Sequence, residues 1–326
     1  MNEIILFWST YEKDIDTTYD KWRNKNIRLS KFHKLALRSH AKLNNKVVLC
    51  KYQHFHSDEA IPGHFEYLDA DTIFPAKMAY EALKKGHSIA HISDAVRLNV
   101  ASKRNGIVMD MDAIVLRELP KLDSWYSSMP AKLTGGMAPK WEKSHPPLKI
   151  HDNSWSGKAL ASFPIKVSDG TKYNIEYLSL KIMRTLTEPI KKGSSAWNYV
   201  LWSIKEIIET DEQGKVYEPI YFCPLPAWLR KGNGYSLESP TRLDGKTELF
   251  GYKMPSTKEL FNKSYVIQHF FDSAAHKQGG YGVTSEDNKT NDEVFWTNLP
   301  ENCLLAQEAC YVLGNNWREI IINKTI

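Results

Sequence analysis

Cysteine is scarce in this chain, and its few residues lie far apart. The four cysteines are Cys50, Cys223, Cys303 and Cys310, and none forms a C-x-x-C pair. Because structural zinc sites use closely spaced cysteine and histidine pairs, this spacing argues against such a site. The sequence also shows neither a signal-peptide pattern nor a long apolar run. We therefore expect a cytoplasmic protein whose thiols stay reduced.

Charge of one sign is not concentrated anywhere along the sequence. The formal net charge is +5 over 326 residues, and the lysines are scattered. There is no arginine-rich helix and no nucleic-acid-binding motif, so we expect no nucleic-acid partner. Scattered lysines favour a solvated surface; the alternative is attraction of phosphorylated ligands or peripheral contact with an anionic membrane. With 42% hydrophobic residues, the chain can form a sizeable core.

Strand and helix patterns alternate along the first third of the sequence. Apolar runs at 3–8 and 46–52 predict strands, and apolar periodicity predicts helices at 30–43, 75–83 and 90–103. A further strand is expected within 105–120. This order predicts an α/β fold with a mixed, mostly parallel sheet flanked by helices.

The later part of the sequence is less regular. Residues 123–171 predict loops and short strands, because no period survives there. Beyond it we expect a helix at 197–209, strands at 217–223 and 265–271, and a closing helix at 304–313. We treat residues 1–326 as one domain, made of a nucleotide-sugar-binding half at 1–122, an acceptor-side half at 123–300 and a C-terminal extension at 301–326.

Two carboxylates, Asp110 and Asp112, lie inside the apolar run NGIVMDMDAIVLRELP at 105–120. A buried carboxylate without a partner is costly, and period-2 geometry would place this pair on one side of a strand. A divalent cation would let the two carboxylates lie close together. The alternative is a pair at a strand exit that is hydrogen-bonded to backbone. The triplets Asp14/Asp16 and Asp69/Asp71 are explained by a solvated loop and by capping.

A second pair lies upstream, on the helix that leads into this strand. Asp94 and Arg97 are three residues apart, which places them on one helical face. They form either a surface ion pair or part of a site beside the two aspartates.

The segment SDAVRLNVASKRNGIVMDMDAIVL resembles the glycosyltransferase sugar-binding region that contains a D-x-D motif, a family that includes glycosyltransferase family 32 and the clostridial toxin glucosyltransferase domains. The resemblance covers about a tenth of the chain, and the spacing of Asp94, Arg97, Asp110 and Asp112 agrees with it. It implies a GT-A-type fold with Mn²⁺, or Mg²⁺, held by Asp110 and Asp112. It also implies that Asp94 and Arg97 bind the donor sugar and ribose.

The resemblance implies further residues, with departures. Trp8 is similar to the aromatic that stacks on uracil, although a core aromatic is an equal alternative. The family's double glycine is Asn105-Gly106 here, and its usual tyrosine is Val108. The family's C-terminal His or Gln followed by Ser-Trp is absent as such. In its place VIQHFFDSAAHKQGG offers these candidates: Gln268, His269, Asp272, Ser273 and His276. We favour His269 as the third metal ligand, then Asp272, and assign Ser273 to cofactor binding.

These residues favour a metal-dependent glycosyltransferase that uses a nucleotide sugar, UDP-linked rather than GDP-linked. The family resemblance implies that the transfer retains anomeric configuration. The expected acceptor is a glycan, polysaccharide precursor or glycolipid-linked glycan. Its site is expected to draw on tryptophans of the later segments that stack on sugars, although most of these are expected in the core; they are Trp125, Trp141, Trp155, Trp197, Trp202 and Trp228.

Two alternative functions remain beside this hypothesis, and one glycine-containing segment is a candidate lid. The alternatives are a metal-dependent nucleotidyltransferase or phosphohydrolase, for which a glycine-rich phosphate loop is missing, and a glycan-binding module without turnover. Residues 277–291 contain Gly279, Gly280 and Gly282, and glycine suits a hinge. They form either a lid over the donor or a surface loop indifferent to ligand.

Overall fold

The computed structural model describes residues 3–57, 63, 65–130, 158–188, 196–211, 214–224, 248–249, 252–253, 255–269, 296–299, 301 and 304–323. Its strands are β1 (Glu3–Phe7), β2 (Asn26–Ile27), β3 (Lys46–Lys51), β4 (His54–Phe55), β5 (Phe65–Asp69), β6 (Ile107–Val108), β7 (Ala113–Val115), β8 (Trp125–Pro130), β9 (Lys158–Lys166), β10 (Lys215–Tyr217), β11 (Glu248–Leu249), β12 (Tyr252–Lys253) and β13 (Val266–Gln268). Its α-helices are α1 (Tyr19–Asn24), α2 (Lys31–Lys42), α3 (Ala76–Lys84), α4 (Ile89–Arg104), α5 (Lys172–Thr187), α6 (Ala196–Thr210), α7 (Pro219–Phe222), α8 (Thr257–Lys263), α9 (Leu304–Leu313) and α10 (Trp317–Ile322).

Seven strands form the central sheet, in the order β10-β8-β9-β6-β1-β3-β5. Strand β9 is antiparallel to both of its neighbours, and the other neighbouring strands pair in parallel. Helices cover the sheet on both faces. The predicted α/β class, with a mixed and mostly parallel sheet flanked by helices, is confirmed.

The strands of the sheet centre are apolar on both faces, as expected where helices cover both sides. In β1, Ile5 packs with the side chains of α3, α4 and α5, while Ile4 and Leu6 pack on the opposite face with Leu37 of α2. The alternation follows from the period of two along a strand. This two-sided burial fixes the register in which the ends of β1 and β6 lie side by side.

A separate antiparallel ribbon joins β7 to β13, with Gln268 opposite Ala113. One face of this ribbon is buried by the C-terminal helices, because Ile114 and Ile267 pack with Leu304 and Leu305 of α9. The ribbon therefore holds the end of β13 beside Asp112, the residue that precedes β7.

Four expectations about local structure are wrong. The run after Gly106 is not one strand: β6 ends at Val108, Met111 and Asp112 form a turn, and β7 begins at Ala113. The predicted strand at 217–223 is β10 followed by α7, because Pro219 starts a helix readily. The nine-residue strand β9 lies in a segment expected to hold only short strands. Asp16, expected to be solvated, is 1% exposed, and its Oδ2 accepts a 2.7 Å hydrogen bond from the Glu12 N–H.

Within the part of the chain that the structure describes, no helix combines the length and the apolar character that crossing a bilayer requires.

Candidate active site

The candidate site lies at the carboxyl edge of the parallel strands, where open α/β sheets bind ligands. Asp110 follows the end of β6 by two residues, and Trp8 follows the end of the neighbouring β1 directly. The turn from α4 into β6 depends on two backbone features. Asn105 adopts the left-handed conformation at φ 51°, and a Cβ on Gly106 would lie 2.8 Å from Cγ1 of Ile5. Asn105 and Gly106 occupy the positions of the double glycine in the family that this segment resembles.

Arg97 connects Asp94, on the same helix, with Asp110 of the D-x-D motif. Its guanidinium lies at the centre of the site. Its Nη1 donates to the Asp110 Oδ1 at 2.6 Å and to the Met109 carbonyl at 2.5 Å, and its Nη2 donates to the Asp94 Oδ1 at 2.8 Å. The guanidinium also lies 4.4 Å from the ring centroid of Phe163. Because Arg97 is 3% exposed and Asp94 1% exposed, the alternative of a surface ion pair is wrong.

The two aspartates of the D-x-D motif are brought together by Gln268 at the end of β13. The Gln268 Nε2 donates to the Asp110 Oδ2 at 3.1 Å and also to the Asp112 Oδ1. One amide group thus lies between two carboxylates. The Gln268 Oε1 is buried and has no hydrogen-bond partner among the described residues. Asp110 is the more exposed of the two aspartates, since its side chain is 31% exposed whereas Asp112 is 9% exposed.

Burial and charge set the protonation of this cluster. Burial raises the pKa of Asp94 to about 7, against the opposing effect of the Arg97 charge. Arg97 has a raised pKa because the two neighbouring carboxylates outweigh its own burial. Burial also raises the pKa of the nearby Cys223 thiol, with Asp110 adding to the effect, so this cysteine stays protonated and is a poor nucleophile.

His269 was expected to be the third metal ligand, and the structure places its side chain elsewhere. Its Nε2 lies 3.0 Å from the Glu308 Oε1, and its ring packs edge-on against Phe32 at 5.3 Å. Neighbouring residues of an extended chain point to opposite faces, so His269 faces away when Gln268 faces the aspartates. Among the described residues of this segment, the side chain that contacts both Asp110 and Asp112 is that of Gln268. The alternation of side chains along the strand is the sequence signal that separates the two residues.

Trp8 lies at the predicted place along the chain but is 6% exposed. Its indole N–H donates to the Arg28 carbonyl at 3.2 Å, and its ring lies 4.2 Å from the His33 ring. Trp8 is therefore a core aromatic in this structure, and stacking on a uracil stays a prediction. Trp125, proposed for the acceptor side, is fully buried and stacks on Phe222 at 4.5 Å.

Several expectations lie outside the described residues. They concern Ser273, Asp272, His276, the segment 277–291 and the side chains of Trp141, Trp155, Trp197, Trp202 and Trp228.

The triplet at 69–71 has the capping role expected of it. The Asp69 Oδ1 accepts from the Asp71 N–H at 3.0 Å, and the Asp71 Oδ1 accepts from the Ala76 N–H at 2.6 Å. Asp69 thus caps the 3₁₀ turn at Ala70–Thr72, and Asp71 binds the N–H of the first residue of α3.

Comparison with known proteins adds little to this geometry. No family model and no curated protein matches the chain. A solved structure titled PaToxG Glycosyltransferase aligns over 64% of this chain and 73% of its own, at 15% sequence identity and a TM-score of 0.30. At this identity and TM-score the alignment establishes neither a shared family nor a shared function.

Proposed function

We propose that this chain is a metal-dependent glycosyltransferase. It transfers a sugar from a nucleotide diphosphate donor, UDP-linked rather than GDP-linked, to a glycan or glycolipid-linked acceptor with retention of configuration. Support comes from the cluster of Asp94, Arg97, Asp110 and Asp112 at the carboxyl edge of the sheet. The observation that carries the proposal is the Gln268 amide, whose Nε2 bridges the two aspartates.

The oxygen atoms of this cluster fit a divalent cation. Among the described residues, no three His, Cys, Asp or Glu side chains form a metal-binding group. Asp110 and Asp112 nevertheless supply two carboxylates, and the buried Oε1 of Gln268 lacks a partner in the described structure. Rotation of the amide by half a turn would exchange its nitrogen for this oxygen. Mg²⁺ and Mn²⁺ prefer oxygen ligands, of which these three side chains would supply part and the donor phosphates and water the rest, so Gln268 replaces His269 in the proposed site.

The roles of the protein groups follow from their contacts. A bound metal would neutralise the charge that develops on the departing diphosphate. Arg97 fixes the orientation of Asp110 and Asp94 through its planar guanidinium. The Oδ2 of Asp94 is buried without a hydrogen-bond partner in the described part of the chain, which leaves it for a sugar hydroxyl. With a pKa of about 7, Asp94 can accept or donate that hydrogen bond near neutral pH.

The test is calorimetry of UDP and UDP-sugars with and without Mn²⁺, on the wild type and on Asp112→Ala. We expect the wild type to bind UDP tightly only when Mn²⁺ is present, and Asp112→Ala to lose the effect of Mn²⁺ while staying folded. Asp71→Ala is the matched control, because Asp71 belongs to another D-x-D triplet with a capping role. Unchanged metal-dependent affinity in a folded Asp112→Ala protein would disprove the metal assignment. Binding of free glycans alone would favour a glycan-binding module.

A further inference from the structure

We propose that Glu308 and His269 are positioning residues that hold the Gln268 amide between Asp110 and Asp112. The C-terminal helix α9, which carries Glu308, thereby becomes part of the donor site. The inference deepens the proposed function, and rests on it for the role of the site. The placement itself rests on contacts that exist in the protein without ligand.

The pair lies in an apolar environment that isolates it from water. Both side chains are 0% exposed, and the His269 Nε2 lies 3.0 Å and 2.9 Å from the two carboxylate oxygens of Glu308. Leu304 and Leu305 of the same helix pack with Ile267 of β13. An imidazole flanked by a carboxylate and by the edge of Phe32 has little freedom to rotate.

Because His269 and Gln268 are neighbours at the end of β13, fixing the His269 ring also fixes the Gln268 side chain beside the two aspartates. The His269 backbone N–H donates to the Asp112 carbonyl at 2.9 Å, beyond the last ladder pair, Gln268 with Ala113. Gln268 is the residue immediately before His269, and its side chain leaves the opposite face of the strand toward Asp110 and Asp112. A twist of the strand end would move the Gln268 amide out of reach of both carboxylates. Fixing the His269 ring prevents that twist.

Stability alone does not account for a carboxylate at this place. Desolvating a carboxylate costs several kcal/mol, and replacing a buried ion pair by well-packed apolar residues is often neutral or stabilising. An apolar pair at 269 and 308 would thus fill the same space at similar stability. It would lack the directional bond that fixes the orientation of the strand end. Orientation is therefore the property that the polar pair provides and an apolar pair does not.

The first measurement is solvent exchange of the Gln268 side-chain NH₂ protons, by NMR on the protein without ligand. Glu308→Gln keeps an oxygen that can accept from the His269 ring but removes its charge. Because a hydrogen bond to a charged group is roughly twice as strong as a neutral one, this exchange should accelerate by roughly 10-fold. The matched control is Glu301→Gln, because Glu301 also lies near the C-terminus and pairs with Arg318, but its side chain is 75% exposed. We expect the control to exchange like the wild type.

A second variant separates positioning from stability. The double substitution His269→Leu with Glu308→Leu should keep the midpoint of thermal unfolding near that of the wild type, and still accelerate Gln268 exchange. It also serves if Glu308→Gln fails to fold. Exchange at the wild-type rate in any folded variant that lacks the pair would overturn the proposal, whatever happens to the melting temperature.

The Mn²⁺ affinity, measured by electron paramagnetic resonance in the presence of UDP, links the pair to the site. Loss of an orienting partner should weaken it by about 10-fold in the folded variants. An unchanged affinity would overturn the role at the donor site. If the wild type itself binds no Mn²⁺, the proposed function fails, and the exchange rates still decide whether the pair positions Gln268.

Discussion

Arg97→Lys is the substitution whose effect follows most directly from the geometry. The guanidinium bonds Asp94 through Nη2, and bonds Asp110 and the Met109 carbonyl through Nη1. A lysine has one nitrogen at the end of a flexible stem and cannot reach both carboxylates in this fixed geometry. Asp110 is the more exposed carboxylate, so Asp94 is the one whose desolvation would be left without compensation.

The magnitude follows from that unpaired carboxylate. Breaking a buried ion pair by removing one partner costs about 3–5 kcal/mol. Asp94 can lower this cost by binding a proton, since its pKa is already about 7. We therefore expect Arg97→Lys to lose about 3 kcal/mol in the free energy of unfolding at neutral pH. Turnover should fall by a larger factor than UDP affinity, because Asp94 and Asp110 lose their fixed orientation while Asp112 and Gln268 remain to hold the proposed metal.

Arg104→Lys provides a matched control on the same helix. Arg104 also pairs with a carboxylate, Glu66, but the two side chains are 29% and 38% exposed. Exposed pairs contribute about 0–1 kcal/mol, so urea unfolding should show little change. If Arg97→Lys unfolds with the same free energy as Arg104→Lys, the buried network does not stabilise the protein as argued. Normal turnover in Arg97→Lys would show that Arg97 serves the fold alone.

Three further predictions concern the same region. The Asp94 pKa of about 7 lies above its unfolded value, so its stabilising contribution is complete below about pH 4 and is lost as the pH rises through 7. In the wild type the free energy of unfolding should therefore decline by roughly 1.4 kcal/mol per pH unit over this range, and Asp94→Asn should lack the decline in urea unfolding. A difference between the two proteins that does not change with pH would contradict this prediction. Gly106→Ala should lose about 1–3 kcal/mol in urea unfolding, because its Cβ meets Ile5, whereas a neutral effect would mean that Ile5 moves aside. Gln268→Leu should weaken Mn²⁺ binding by about 10-fold in calorimetry, and wild-type affinity would remove Gln268 from the metal site.

Much of the fold could be predicted from the sequence, because local signals and tertiary packing agree there. The helices α2, α3 and α4 have apolar stripes and recognisable start signals, and the structure has them within a residue or two of the predicted bounds. The strands β1 and β3 are short apolar runs of the kind that a covered parallel sheet produces. The placement of Asp110 at the end of a strand also followed, since it lies two residues after β6 of this sheet.

The contacts within the site could be predicted only in part. The helical spacing placed Asp94 and Arg97 together, but exposure depends on α5 and β9, whose packing the sequence does not reveal. The choice between Gln268 and His269 depended on the register of β13 against β7, which is a long-range property. Glu308 gave no signal at all, because a single glutamate in a helix pattern usually faces water.

The left-handed turn at Asn105 and Gly106 changes how this motif should be recognised in other sequences. The first position requires a residue that tolerates positive φ, a condition that asparagine meets as well as glycine, whereas the second requires the absence of a side chain. A search that demands two identical letters therefore rejects chains that satisfy both backbone conditions. A search that accepts Asn or Gly, then Gly, before three apolar residues and an aspartate would retain them. The backbone at this corner restricts conformation at position 105 and volume at position 106, so it dictates the amino acid only at the second position.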